Sequence, residues 1–401
     1  MSSTGLDLGL SLAALPALAA AAYVGLLAVI ARRKPVPRPS PGCLRRMIVV
    51  VPAHDEEAGI AETVGSLRCV DYPREEYRIL VVADNCSDRT AEEAREAGAD
   101  VVLVRQDPGR RGKGYALRFA FDSVLEEGFA ESVVVVDADT VVSPNLLTAF
   151  AARFADGALA LQAHYGVRNA GESWRTRLLA IAFGAFHGVR SLARERLGLS
   201  CGLRGNGMGF TVEVLRAVPY EAWSIVEDLE YGIQLAYAGH RVWYVDEARV
   251  LGQMASTERA SRSQRRRWEG GRRRMAAAHA GALLRRASRE RSAVLLDLAL
   301  DLLVPPLSTI VLVCGLGVVA TATALASGVP LRLAPWLWSA AAVGLGVYVM
   351  RGWALSGVGV RGLVDLLAAP AYITWRVALS LWRSPHRGDT WVRTERPGDR
   401  P

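Results

Sequence analysis

The sequence is short of the residues and spacings that mark several common protein classes. Cysteine is scarce: Cys43, Cys69, Cys86, Cys201 and Cys314 are scattered and odd in number, with no CxxC and no Cys/His pair at zinc spacing. That excludes a disulfide framework or zinc ribbon and points to reduced thiols. Six histidines include no HExxH, so a zinc hydrolase is not indicated. The glycine-rich stretches also miss their marks. "GRRGKG" (109–114) lacks the GxxxxGK(S/T) spacing, and "GNGMG" (205–209) lacks GxGxxG, so neither a P-loop ATPase nor a dinucleotide dehydrogenase is supported. A basic excess of +8 is present without a groove-reading module or stacking aromatics, which excludes nucleic acid as the expected partner.

What is present is an uneven distribution of apolar residues over 401 positions. Residues 9–31 are uncharged and of spanning length, with Asp7 before them and Arg32-Arg33-Lys34 after. Signal peptides carry the opposite order, so residues 1–33 read as an anchor whose C-terminal end faces the cytoplasm. "KPVPRPSPG" begins a stiff linker (34–45). Far along the chain, twelve arginines between Arg259 and Arg291 precede an apolar turn of composition at Ala293, as in a basic juxtamembrane segment (271–292). Residues 293–350 read as an interfacial helix and two spans (302–326 and 334–350). There Pro305 and Pro306 start or kink a helix, and Asp297 and Asp301 suit an interface. Residues 351–382 read as an interfacial or re-entrant segment, and 383–401 as a basic cytoplasmic tail. Three spans place the protein as multi-pass in the inner (plasma) membrane.

Residues 46–270 have α/β character. "MIVVV" (47–51), "YRILVVA" (77–83), "DVVLV" (100–104) and "SVVVVD" (132–137) are continuous apolar strands separated by helical stretches, the pattern of a mostly parallel sheet covered on both faces. Ligands bind such sheets at the C-terminal strand ends, where Asp84, Asp137 and Asp139 all fall. Residues 172–198 have an apolar stripe from Trp174 to Leu192, with His187, Arg190 and Arg194 off it, predicting an amphipathic helix at a membrane interface or on the sheet.

The strand ends suggest a chemistry. Two carboxylates two residues apart suit a hard divalent cation held with substrate phosphates. Asp84 is placed to accept hydrogen bonds from a base or ribose, and "RGKG" brings Arg111 and Lys113 on a loop toward a diphosphate. "SIVEDLEYG" opens a helix with Glu227, Asp228 and Glu230. These acids favour the helix N-terminus in any case, and one of them turned toward a donor would be a general base.

Five motifs occur in order: "VPAHDEE", Asp84 before "NCSD", "DAD" (137–139), "VEDLE" and "QRRRW" (264–268, QxxRW). Together, over about 48 to 270, they resemble the membrane-bound branch of inverting glycosyltransferase family 2. That branch includes cellulose, hyaluronan, chitooligosaccharide and poly-N-acetylglucosamine synthases and ceramide glucosyltransferases. The resemblance implies a GT-A-type nucleotide-sugar-binding fold with transmembrane and interfacial helices, and Mg²⁺ or Mn²⁺ as cofactor. It places Pro52, Ala53, Glu56, Asp84, Lys113, Asp137 and Arg267 at the donor, and Asp139 with Asp137 at the metal. Asp228 corresponds to the general base. Gly205, Asn206, Gly207, Glu227, Gln264 and Trp268 fall on the acceptor side, and Trp391, Arg393, Thr394 and Arg396 in a candidate gating tail. His54 stands where many relatives carry tyrosine. The implied reaction is transfer of a hexosyl or N-acetylhexosaminyl unit from a UDP-sugar to a growing polysaccharide, forming a β-linkage. The alternatives are glycosylation of a membrane lipid, and a non-catalytic nucleotide-sugar-binding scaffold. Membrane lipids, an oligomer or secretion components are the expected partners.

Overall fold

The structure is a computed structural model and describes residues 3–33, 44–254 and 258–382, without the side chains of 258–266, 371 and 375–382. The linker at 34–43 and the tail residues Trp391, Arg393, Thr394 and Arg396 lie outside the described residues, as does the side chain of Gln264. The chain divides into two compact units, one built mostly from residues 3–32, 170–193 and 303–382, the other from 33–169 and 194–302.

The first unit is helical: α1 (Ser3–Ile30), α6 (Trp174–Phe183), a π-helical stretch (Gly184–Val189), the start of α7 (Arg190–Leu197), α12 (Leu307–Ala326), α13 (Ala334–Ser356) and α14 (Gly359–Trp382). Small residues set its packing. A Cβ on Gly25 of α1 would come within 3.0 Å of the Gly344 carbonyl of α13. Asp7 caps α13 by accepting the Leu333 and Ala334 N–H groups. Among the described residues α1 and α12 are long and apolar enough to cross a membrane; α13, the third expected span, is not one of them. α12 starts directly after Pro306, as the proline pair predicts. Of the segment expected to be interfacial or re-entrant, 351–356 complete α13 and 359–382 form one continuous helix, α14, with Pro370 inside it. Residues 172–198 also differ from expectation. His187, Arg190 and Arg194 are all buried rather than forming a polar outer face, and Arg190 donates to the Tyr348 hydroxyl at 2.8 Å.

The second unit contains an eight-stranded sheet: β1 (Met47–Ala53), β2 (Tyr77–Asp84), β3 (Val101–Arg105), β4 (Ser132–Val135), β5 (Thr140–Val142), β6 (Ala160–Val167), β7 (Met208–Thr211) and β8 (Val242–Gly252). Their order is β3-β2-β1-β4-β7-β6-β8-β5. The first four are parallel, as their continuous apolar runs predict, and β7 is antiparallel to both neighbours. The sheet is therefore mixed. The helices of this unit are α2 (Ile60–Arg68), α3 (Thr90–Glu96), α4 (Lys113–Glu127), α5 (Leu146–Ala155), α8 (Val212–Ala217), α9 (Glu227–Tyr237), α10 (Glu258–Glu290) and α11 (Ala293–Leu303). Val49, Val51, Ile79, Val81, Val133 and Val135 are fully buried, so the strands that carry the site sit between helical layers. Strand β4 meets antiparallel β7 at the centre, so the segment entering β7, residues 202–207, is brought against the DAD turn that follows β4.

Candidate active site

The DAD turn leaves β4 under close restraint. Asn206, wholly buried, accepts the Asp137 N–H at 3.1 Å through its side-chain oxygen and donates to Thr140 Oγ1 at 2.7 Å. Thr63 of α2 donates to the Ala138 carbonyl at 2.8 Å and accepts the Thr140 N–H at 3.1 Å. The turn is thus pinned from both sides, and the Asp137 and Asp139 side chains leave it partly exposed. Tyr165 of β6 lies beneath. Burial first, then the nearby Asp137 and Asp139 charges, keep its hydroxyl protonated, with a pKa well above the usual range.

Lys113 is the first residue of α4, not part of the preceding loop. Gly112, with φ +128, makes the turn into the helix. The Lys113 ammonium bonds Asp137 Oδ1 and the Gly205 carbonyl (2.6 Å) and lies 3.8 Å from Glu227 Oε1. Burial disfavours its charge, but Asp137, Glu227 and Asp228 outweigh that and raise its pKa above the usual value. Gly114 allows this convergence: a Cβ there would stand 2.0 Å from the Ala222 carbonyl, in the segment leading to α9.

Glu227 and Asp228 open α9. Burial, then the neighbouring Asp228, push the Glu227 carboxyl up to about 8 against the opposing pull of Lys113. Burial also raises Asp228. The Leu229 N–H, donated to its Oδ1 at 2.8 Å, and the Lys113 and Arg204 charges act in the other direction. Gly205, at φ +79, completes the wall: a Cβ on it would lie 3.5 Å from Asp228 Oδ2. Asp137, Lys113, Gly205, Glu227 and Asp228 therefore form one half-buried cluster at the C-terminal strand ends.

Asp84 closes the end of β2. Its Oδ1 accepts from Arg105 Nη1 at 2.5 Å and from Asn85 Nδ2 at 3.1 Å, and its backbone carbonyl meets His54 Nδ1 at 2.6 Å. Pro52 and Ala53 pair with Val82 and Ala83 on β2, and the Glu56 N–H donates to Thr90. Asp55, Cys86 and Asp88 form a tight group of ligand-type side chains. Asp55 and Asp88 there accept backbone N–H groups of Ser87, Thr90 and Glu57, and burial pushes the Cys86 thiol up to about 11. A protonated thiol and committed carboxylates make this group a loop brace between β1 and β2.

The expected residues do not all face the crevice. Asn206 is spent on the DAD turn, and Gly207 belongs to the β4–β7 junction, where a Cβ would strike Val250 at 2.7 Å. Arg267 and Trp268 lie on α10, with Trp268 37 % exposed and burial lowering the Arg267 pKa. Tyr165 and Arg204 were not foreseen. Arg204 is partly exposed in the glycine-rich segment, its N–H donated to Gln162 Oε1 at 2.8 Å, and desolvation lowers its pKa to about 10.

Residues 45–271 match the family model described as "Glycosyltransferase like family 2". A probable glycosyltransferase, YdaM, of Bacillus subtilis is 26 % identical over 240 residues, 57 % of this chain and 55 % of that one. A β-monoglucosyldiacylglycerol synthase of Synechocystis is 29 % identical over 234 residues, 56 % of this chain and 48 % of that one. The chain spans about half the length of these curated relatives. Among solved structures, the mannosyltransferase PcManGT of Pyrobaculum calidifontis, in complex with GDP-Man and Mn²⁺, aligns with a TM-score of 0.56 at 20 % identity. The alignment covers 92 % of this chain and 99 % of that one. The likeness is one of fold, the GT-A type.

Proposed function

Because the chain belongs to the glycosyltransferase 2-like family, we propose that it transfers a hexosyl unit from a nucleotide sugar to an acceptor hydroxyl with inversion, forming a β-linkage. The observation that carries this reading is the cluster of Asp137, Lys113, Gly205, Glu227 and Asp228 at the sheet's C-terminal edge.

The residues divide the work as follows. Asp84, with Arg105, offers hydrogen-bonding groups to the nucleoside. The α4 N-terminus and Lys113 face the diphosphate, combining the positive end of a helix dipole with a side-chain charge. Asp139 and Asp137 are hard oxygen donors of the kind Mg²⁺ and Mn²⁺ prefer, and the ammonium already paired with Asp137 marks this carboxylate as one that takes a cation. A bound divalent ion would supply Lewis-acid stabilisation to the departing diphosphate. Asp228 takes the proton of the acceptor hydroxyl as the oxygen–C1 bond forms and the C1–phosphate oxygen bond breaks, the diphosphate leaving with the electron pair. Glu227, held protonated at neutral pH by burial, avoids a second buried negative charge beside the base. Arg267 and Trp268 of α10 are assigned to the diphosphate and acceptor sides.

A membrane lipid is the acceptor class best supported, since a relative is named for glycosylating diacylglycerol and two helices here are apolar and long enough to span a bilayer. That reverses the order of acceptors drawn from the sequence, which put polysaccharide first. The test is incubation of purified protein in native lipid with radiolabelled UDP- and GDP-hexoses and Mg²⁺ or Mn²⁺. The expected result is divalent-dependent, organic-extractable β-glycoside. Alcohol-insoluble product instead would make the acceptor a polymer, and no release of nucleoside diphosphate from any donor would reject the enzyme reading.

A further inference from the structure

Helix α10 runs alongside α9 in the same direction and grips it at both ends. At the start of α9, Gly271 of α10 lies so close to the N-cap residue Val226 that a Cβ would stand 2.6 Å from Val226 Cγ1. Further on, Leu283 and Ala287 of α10 pack with Ile233 and Ala236 of α9 and with Leu295, Leu298, Ala299 and Leu302 of α11. At the far end Arg286 donates to the Tyr237 carbonyl at 2.7 Å, satisfying the last turn of α9.

Apolar contact alone would let such a helix slide. Beside it lies a cluster of charges on three helices. Asp297 and Asp301, one turn apart on α11, both face Arg194 of α7, at 2.7 Å each. Arg194 is 1 % exposed. Asp301 Oδ2 also accepts from Arg272 of α10 at 2.9 Å. Arg272 is therefore no lipid- or solvent-facing member of the arginine run, and the aspartates are not interfacial. Buried ion clusters are a poor source of stability, because desolvation offsets attraction, but they punish displacement: one turn of slip of α10 would part Arg272 from Asp301, which Arg194 holds in place on α11.

We propose that the Arg194–Asp297–Asp301–Arg272 cluster is a positioning device: it sets the register of α10 against α9, and so the placement of Arg267 and Trp268 relative to Asp228. Arg267 and Trp268 lie about one helical turn before Gly271, at the end of α9 that carries Glu227 and Asp228. The inference rests on the glycosyl-transfer reading. None of the four belongs to the cluster of Asp137, Lys113, Gly205, Glu227 and Asp228.

The test separates two rates: nucleoside diphosphate release to water in detergent without native lipid, and transfer to acceptor once native lipid is added. In Arg272→Met and Asp301→Asn, transfer, which needs both Arg267 and Trp268, should fall tenfold or more with a raised acceptor KM, while donor hydrolysis, which needs Arg267 alone, falls by clearly less. Arg272→Lys should recover part of the transfer. Parallel loss of both rates, or loss of neither, overturns the proposal. If the single variants fail to fold, Arg194→Met/Arg272→Met/Asp297→Leu/Asp301→Leu keeps an apolar contact without register. The same split is expected there, and normal transfer would overturn the idea. A wild-type protein with neither donor hydrolysis nor transfer rejects the glycosyl-transfer reading instead. Hydrogen exchange along 268–276 then still reads the register: faster exchange in Asp301→Asn supports it, and unchanged exchange contradicts it.

Discussion

Replacing Asn206 by alanine removes two hydrogen bonds from the DAD turn at once. The Asp137 N–H loses its acceptor at 3.1 Å, and the Thr140 hydroxyl loses its donor at 2.7 Å. The position is 0 % exposed, so water does not simply take the amide's place. Each buried polar group left without a partner costs roughly 1–3 kcal/mol. Thr140 Oγ1 retains a long contact to Asp139 Oδ1 at 3.4 Å, which places the total nearer about 2–4 kcal/mol than the upper limit. For a unit of this size that corresponds to a melting shift of roughly 5–15 °C. The activity loss should be larger than the stability loss suggests, because Asp137 and Asp139 ride on the released turn. A misplacement of about 1 Å in a positioning group is worth on the order of 100-fold in rate. The assay is thermal unfolding with and without Mn²⁺, alongside donor turnover at saturating and limiting Mn²⁺. The variant should melt earlier, need more Mn²⁺ for half-maximal turnover and gain less stability from it. Wild-type melting with an unchanged Mn²⁺ requirement would refute the reasoning that Asn206 braces the metal-side carboxylates.

Other outcomes follow from the same geometry. Glu227 holds its proton up to about pH 8 in the fold, against an ordinary value of 4.5. The native state therefore binds the proton more tightly: its stabilising effect is complete below 4.5 and is lost as pH rises through 8, with a slope of at most roughly 1.4 kcal/mol per pH unit. Glu227→Gln should flatten that part of the denaturation free energy measured between pH 5 and 8; an identical slope in both proteins would contradict the assignment. Gly114→Ala places a methyl group against the Ala222 carbonyl and should cost about 1–3 kcal/mol with loss of donor affinity. The matched change Gly65→Ala on α2, with nothing within 4 Å, should be neutral or stabilise by up to about 1 kcal/mol. Equal effects of the two in calorimetry and donor titration would dismiss the close approach of α4 as a cause.

Half of the sheet was legible in the sequence. Strands β1, β2 and β4 are covered on both faces and so read as unbroken Val/Ile/Leu runs, β3 at the sheet's edge carries a similar run while partly exposed, and the ends of β2 and β4 announce Asp84, Asp137 and Asp139. Strands β5 to β8 were not anticipated. β5 is three residues long, and β6 carries Gln162 and His164, polar groups satisfied by Asn206 and Tyr244. No period in the sequence reveals such pairings. The same limit hid Tyr165 and Arg204. It also misplaced Arg194, Asp297 and Asp301: a charge on a helix reads as exposed until its partner, about a hundred residues away, is known. Lys113 had a better signal, being one of only two lysines in the chain, although its place on the helix rather than the loop depended on Gly112.

The central claim is that Asp228 is the base of a glycosyl transfer from a nucleotide sugar bound at this sheet edge. The measurement is a side-by-side determination of donor binding and transfer rate for wild type and Asp228→Asn, in native lipid with Mn²⁺. Donor affinity within a few-fold of wild type with transfer reduced by at least roughly 100-fold is the predicted result, in line with the usual worth of a general base. Transfer by Asp228→Asn at the wild-type rate would contradict it.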